Sequence, residues 1–258
     1  MNNYYFVVPS LPVLRLGEIP DFSFKELIYR LEMNLSKKDR KQVATIRRLV
    51  DLQNIKALYL KKHLDDHGNL SEKELDEALL VEADLPGYVF EFLNQFEESK
   101  EKTRNFFGLL SRFYTYEISK AKGFLKSWLI LQREMRLVLA AVRAKKLGRD
   151  IINEFQFEDF TDPLVAEIIS QKDLEIYDPP MEYRELFEQI STCEKDPWLL
   201  YQTIIKYEFE KIEELTDYPL FSLDWILGYV ARFLLIEKWN RLNPHKGKEI
   251  LDRYKTGF

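Results

Sequence analysis

A chain of 258 residues that is 46% hydrophobic and 31% charged has the make-up of a soluble globular protein of one or two domains. It is long enough to bury roughly 70–75% of its unfolded surface, so neither a metal nor a disulfide is needed to hold it together. The net charge of −5 gives no reason to expect a nucleic-acid partner, and a single cysteine, Cys193, excludes an intrachain disulfide and fits a reducing cytosol.

With 9 glycines and 10 prolines, and long runs of apolar residues at helical spacing, the chain is predicted to be all-α. Tyr4 to Leu14 is the one stretch that reads as extended: Tyr-Tyr-Phe-Val-Val is followed by two prolines and shows no helix period. Asp21 can cap a first helix with Phe24, Leu27, Ile28 and Leu31 on one face. Ser36 reads as the cap of a long second helix carrying Val43, Ile46, Leu49, Val50, Ile55 and Leu58. Ser71 and Glu74 form a capping box, and Pro86-Gly87 punctuates before another helix.

From Glu101 to Leu147 the pattern is helical almost throughout, with a break or bend expected at Gly123. Phe124, Trp128, Leu131, Met135, Val138 and Val142 then follow at alternating steps of four and three, a seam that packs lengthwise against neighbouring helices. Thr161-Asp162-Pro163 and Asp196-Pro197 are helix starts. Asp178-Pro179-Pro180 is the strongest boundary, so residues 1–178 are expected to hold the N-terminal and middle helical lobes and 179–258 the C-terminal one. Trp225 to Ile236 carries one charge, Arg232, and should lie inside a bundle. Asn243-Pro244 stops it, and a short amphipathic helix is expected to close the chain.

No N-terminal segment has the charge and apolar pattern of a signal peptide, and no apolar run approaches the ~20 residues of a spanning helix. A cytoplasmic protein is therefore expected. Charge is uneven along it. Ser36 to Lys62 carries 9 Lys/Arg against 2 acids, Asp65 to Glu101 carries 12 acids against 2 Lys, and Lys120 to Arg149 carries 9 Lys/Arg against 1 acid. Such alternation points to protein partners, or to helix faces that pair internally.

Catalytic and metal-binding patterns are weak. His63 to Glu74 fits part of a calcium-loop frame, but histidines stand where hard oxygen ligands are needed, and no further ligand completes a zinc site with His63 and His67. No phosphate loop, G-x-S-x-G or Glu-x-x-His pair occurs, and Cys193 reads as a small apolar filler. No enzyme activity and no cofactor are expected. Arg143, Lys145, Lys146 and Arg149 are candidates for binding a partner, phosphates or acidic lipid headgroups, although cations at a helix C-terminus are favoured by the helix dipole in any case.

One helical phrase recurs. Asp51 and Asn54 sit three residues apart in L-V-D-L-Q-N-I-K-A-L-Y-L-K-K. Glu237 and Asn240 repeat that spacing within Trp225 to Leu242, and Glu134 holds the acid alone in a looser copy from Gln132 to Gly148. The bland account of these polar residues is a structural one, bonding to a neighbouring helix end or loop. The three helices are expected to occupy related places in successive lobes.

Apolar helix, acid-x-x-Asn, then a basic stretch closing on Gly resembles the pseudo-threefold C-type subunit in the central stalk of rotary V/A-type ATPases (ATP synthases). M-N-N-Y-Y-F-V-V-P-S-L-P at the start, L-S-K-K-D at Leu35 to Asp39 and V-L-A-A-V-R-A-K-K-L-G-R-D at Val138 to Asp150 are similar to a divergent bacterial family of that kind. The resemblance covers most of the chain, which is shorter than the usual C-type protein. It implies a funnel of helical lobes between the rotor shaft and the membrane proteolipid ring, no ATP chemistry of its own, and membrane contact only through the ring. The alternative is an unrelated helical adaptor that binds one protein through its acidic Asp65 to Glu101 region.

Overall fold

The structure is a computed structural model and describes residues 4–193 and 196–241. Among the described residues there are twelve α-helices and no strand, so the protein is all-α. In chain order they are α1 (Phe24–Asn34), α2 (Lys37–Tyr59), α3 (Glu72–Val81), α4 (Gly87–Leu93), α5 (Ser99–Arg104), α6 (Phe106–Lys120), α7 (Gly123–Lys146), α8 (Ile151–Glu154), α9 (Pro163–Ser170), α10 (Met181–Thr192), α11 (Pro197–Leu215) and α12 (Leu223–Arg241). The closing amphipathic helix expected after Pro244 lies outside the described residues.

The helices fall into two compact units. One contains the described residues up to Val43 together with those from Leu186 onward, and the other is residues 44–185. The boundaries fall inside α2 and α10. This partition differs from the expected break after residue 178, because the first 43 residues group with the C-terminal helices. Asp178-Pro179-Pro180 marks a stop in local structure, and such a signal carries no information about which distant segments pair.

The first unit is built around α12, which is buried on nearly every face from Ile226 to Ile236. It packs against α11 and α1. Phe233, wholly buried, meets the rings of Phe22 and Phe24 at 5.6 and 5.8 Å, and Tyr229 Oη donates to the Pro12 carbonyl at 3.1 Å. Burial of one such ring stabilises by roughly 1.5–3 kcal/mol.

The first part of the N-terminal stretch, residues 5–10, turns rather than extends, and the backbone becomes extended only at Leu11. Val8–Ser10 is a short 3-10 helix whose amides are satisfied locally, Val8 N to Tyr4 O and Ser10 N to Val7 O. Its β-prone residues have no strand to pair with among the described residues. The backbone closes on itself, and Tyr4, Val7 and Val8 are buried instead.

The second unit has α7 as its spine. All six seam residues from Phe124 to Val142 are buried, and α6, α8 and α9 pack against the helix. Its charged face is partly paired: Arg136 and Arg133 hold the buried Glu158 carboxylate at 2.5 and 3.8 Å, and Arg133 reaches Asp162 at 3.0 Å. The expected break at Gly123 is real. Gly123 adopts a φ of 55° and begins α7 where α6 has stopped.

Helix ends follow the sequence closely, with one correction. α1 is capped by Ser23, whose Oγ accepts from Glu26 N, rather than by Asp21. Ser36, the Ser71–Glu74 box, Asp162 and Asp196 cap their helices as expected. Two helix C-termini close through the same pair of backbone bonds around a left-handed residue. After α7 this residue is Gly148, with Arg149 N bonded to Ala144 O. After α2 it is Lys61, with Lys62 N bonded to Ala57 O and a φ of 53°. A side chain is strained there, so Lys61→Gly should stabilise the fold by about 1 kcal/mol in a urea titration.

Candidate functional site

Arg47, Asp51 and Asn54 follow at steps of four and three and share one stripe of α2. All three grip the loop that follows the helix. Arg47 Nε donates to His67 O at 3.1 Å, and its terminal nitrogen also donates to Gly68 O. Asn54 donates to Asp65 O at 2.8 Å and accepts from Asp65 N at 2.7 Å. Asp51, 1% exposed, accepts from Asn69 N at 2.6 Å, Asn69 Nδ2 at 2.6 Å and Leu70 N at 3.2 Å. Burial pushes the Asp51 pKa up, and these hydrogen bonds together with the Arg48 charge offset part of that rise. Gly68 is required because an added Cβ would sit 2.5 Å from Asp51 Oδ1.

The other copies of the phrase behave in part alike. Asn240 Nδ2 donates to the Glu18 carbonyl at 3.2 Å, so it too holds a loop backbone. Glu134, which has no Asn partner, accepts from Tyr183 Oη at 2.7 Å. Glu237 is half-buried one turn before Asn240. The loop held by α2 follows its helix directly, whereas the loop held by α12 comes from the N-terminus.

Within the gripped loop, Asp65, Asp66 and His67 bring three ligand-type atoms within 4.8 Å of one another. His67 Nδ1 lies 2.6 Å from Asp65 Oδ1 and 3.2 Å from Asp66 Oδ1, so the ring nitrogen already has carboxylate partners. His63, the other histidine of the calcium-loop frame, is not in this group.

The four candidate basic residues divide. Lys145 Nζ donates to the carbonyls of Lys172 and Leu174, at 2.6 and 2.5 Å, and so fixes the turn after α9. Arg149 pairs with Glu154 at 3.1 Å. Arg143 and Lys146 are exposed on the last turn of α7. Opposite in sign is α3 with its flanks, where Glu72, Asp76, Glu77, Asp84 and Glu91 are exposed and form no ion pair among the described residues. Leu80 stands among them, 85% exposed.

An open groove of about 870 Å³ in the same unit is lined by Tyr88, Gln95, Arg112, Tyr116 and Phe157 among others. Beside it Tyr88 Oη meets Glu117 Oε1 at 3.4 Å. Burial raises the Glu117 pKa, with Arg48 and the Tyr88 bond opposing. The folded state therefore holds that proton more tightly than the unfolded state does. Its stabilising effect is present in acid and is lost as pH rises through the folded pKa. Relative to Glu117→Gln, wild-type stability should rise between pH 7 and pH 4, as read from paired urea titrations.

The family described as "Protein of unknown function (DUF2764)" matches residues 1–258. The chain belongs to that family. Among its relatives, an uncharacterized protein of Chlamydia muridarum is 27% identical over 264 residues, covering 100% of this chain and 99% of its own length. Uncharacterized proteins of Chlamydia trachomatis and Chlamydia pneumoniae are each 26% identical with the same coverage. No solved structure matches the chain.

No helix among the described residues is long and apolar enough to cross a membrane. The residues that sequence reading missed are Arg47 and Asn69, and Gly68 was placed only as the sixth position of the calcium-loop frame. Arg47 was legible as the residue one turn before Asp51. Gly68 and Asn69 lie in an aperiodic loop, where nothing in spacing announces a partner.

Proposed function

We propose that this protein is a non-catalytic central-stalk subunit of a rotary V/A-type ATPase, similar to the C-type subunit, coupling the rotor shaft to the membrane proteolipid ring during ion transport. The observation that carries the reading is the common use of two copies of one phrase. Asn54 and Asn240, each three residues after an acid on its helix, both donate to a loop carbonyl. The resemblance of the N-terminal, Val138 to Asp150 and Trp225 to Leu242 segments supports it, and so does the all-α fold. In this reading the lobes form a funnel and the protein meets the membrane only through the ring. Its work is mechanical, and close-packed helices suit that because they deform little. The protein hydrolyses nothing itself.

A pull-down at low ionic strength tests the reading. Wild-type protein should recover shaft and ring subunits, and recovery of neither would sink the proposal. Arg143→Glu with Lys146→Glu should weaken assembly most at low salt, where screening is least. Lys145 is left intact because of its hold on Lys172 and Leu174. Equal recovery by the double variant moves the contact surface elsewhere. The adaptor reading is favoured by the unpaired acids around Leu80. Genes for nucleotide-binding and proteolipid subunits beside this one would decide between the two.

A further inference from the structure

We propose that the open groove between α4 and α6 receives a proline-rich segment of a partner protein, held in the polyproline II conformation with a basic residue beside its prolines. The inference stands apart from the rotary reading. It needs only the chemistry of this groove, and a pull-down that recovers neither shaft nor ring would leave it standing.

Three observations carry it. First, the groove has fixed walls. Tyr88 and Glu91 of α4 line one side and Arg112, Thr115 and Tyr116 of α6 the other, and the two helices pack together. Phe157 closes a third side. Its ring lies so close to Gly108 that a Cβ there would sit 3.1 Å from it, and its carbonyl accepts from Ser111 Oγ at 2.9 Å. Second, polar side chains in the groove are unengaged. Those of Glu91, Gln95, Arg112 and Thr115 make no hydrogen bond and no ion pair among the described residues. Arg112 is half-buried, and its guanidinium meets only the Phe92 ring, 5.9 Å away. Arg47, Arg133 and Arg136, half-buried in the same unit, are instead taken up by carbonyls or carboxylates. Third, the apolar part of the lining is aromatic. The Tyr88 and Tyr116 rings lie 5.1 Å apart, and Tyr116 stays 41% exposed although Lys120 Nζ stands 3.7 Å from its ring centre.

The occupant follows from this chemistry. A polyproline II segment makes no internal hydrogen bonds, so its carbonyls can accept from Arg112, Gln95 and Thr115. A helix would already use its own carbonyls and leave those donors without a backbone partner. Proline rings settle on tyrosine and phenylalanine faces, and a chain already stiff loses little freedom in doing so. The lengths agree. From Ser111 to Ser119, both in the lining, α6 rises about 12 Å. About four residues of polyproline II, at ~3.1 Å each, span that distance. The lining acids set the charge of the flanking side chain. Glu91 is exposed and unpaired, and hydrogen bonds from Thr161 hold the Asp159 carboxyl below the usual carboxylate range, so it stays ionised. Two carboxylates beside a single lining cation attract a basic residue and repel a phosphate.

The probe is a fluorescein-labelled peptide, Arg-Pro-Leu-Pro-Pro-Leu-Pro, titrated with full-length protein and followed by anisotropy. Wild-type protein should bind it, and a peptide with alanine at every proline should bind about tenfold more weakly. Tyr116→Ala should lower affinity about tenfold and Arg112→Gln about fivefold, while Tyr29→Ala, at an exposed tyrosine of α1, should leave it unchanged. Glu91→Gln should weaken binding about threefold for this peptide, and not at all for one with alanine in place of the arginine. That split reads charge alone and holds whatever Tyr116→Ala does to the fold. No binding at submillimolar protein, or binding that Tyr116→Ala and Arg112→Gln both leave intact, overturns the site. Equal binding of the alanine peptide, or displacement by millimolar inorganic phosphate, overturns the occupant. A dimer in sedimentation that Arg112→Gln dissolves assigns the groove to a second copy of the chain and equally overturns it.

Discussion

Asp51→Ala should cost about 3 kcal/mol of stability and release the loop after α2. Alanine leaves Asn69 N, Asn69 Nδ2 and Leu70 N without the acceptor they share, in a place almost closed to water. Part of that loss is offset, because removing the carboxylate also removes its desolvation, the main cause of the raised Asp51 pKa. Asp51→Asn should cost less. Its remaining oxygen can serve both backbone amides, but its new amide nitrogen would face Asn69 Nδ2, which already donates to the Ala44 carbonyl at 2.9 Å. Urea titration gives the energies, and amide exchange at Asn69 and Leu70 gives the local release. If Asp51→Ala melts like wild type, the grip of α2 on its loop contributes little.

Gly228→Ala tests the contact that holds α12 against the end of α11. Helix propensity alone says that alanine in a helix interior should stabilise by roughly 1 kcal/mol. Space says the opposite. The new Cβ would overlap Thr216 Oγ1, lie 2.5 Å from its Cγ2 and 3.0 Å from its Cβ. Thr216 cannot easily turn aside, since it is buried and its hydroxyl donates to the Ile212 carbonyl at 2.5 Å. The overlap should win and leave the variant about 2 kcal/mol less stable. Thr216→Ala in the same chain removes Oγ1 and Cγ2 together and should recover part of the loss. A cycle of the two single variants and the double variant, followed by thermal melts, measures the coupling. Strict additivity would mean that the two residues do not meet.

The fold was legible where periodicity and capping carry the information. The Phe124 to Val142 seam, the box at Ser71 and Glu74, and the all-round apolar run of α12 each announce a helix and its buried side. The N-terminal turn was not legible, because Tyr-Tyr-Phe-Val-Val has a strand's composition, and among the described residues there is no strand for it to pair with. Nor was the grouping of the first 43 residues with α11 and α12. Phe22, Phe24 and Phe233 are far apart in the chain, and no local pattern names them as neighbours.

The candidate site divides along the same line. Asp51 and Asn54 could be picked out as polar residues among the apolar positions of an amphipathic helix, and a structural role was the simpler account of them. Their partners in the loop could not be named. Among the basic residues, Lys145 and Arg143 look alike in sequence. Only the turn after α9 separates them, by taking up Lys145 and leaving Arg143 facing outward.

The discontinuous unit sets an order on how the polypeptide can acquire its structure during synthesis. Residues 44–185 emerge from the ribosome as one unbroken stretch and bring their own core, including the whole α7 seam. The first 43 residues emerge earlier still, yet the rings of Phe22 and Phe24 and the Pro12 carbonyl meet partners on α12, and Tyr229, which takes up that carbonyl, lies 217 residues beyond it. Until α12 is made, its contacts with α1 cannot form. The nascent chain therefore carries α1 without its α12 cover until that helix is made, and that missing cover is what a chaperone would find to hold.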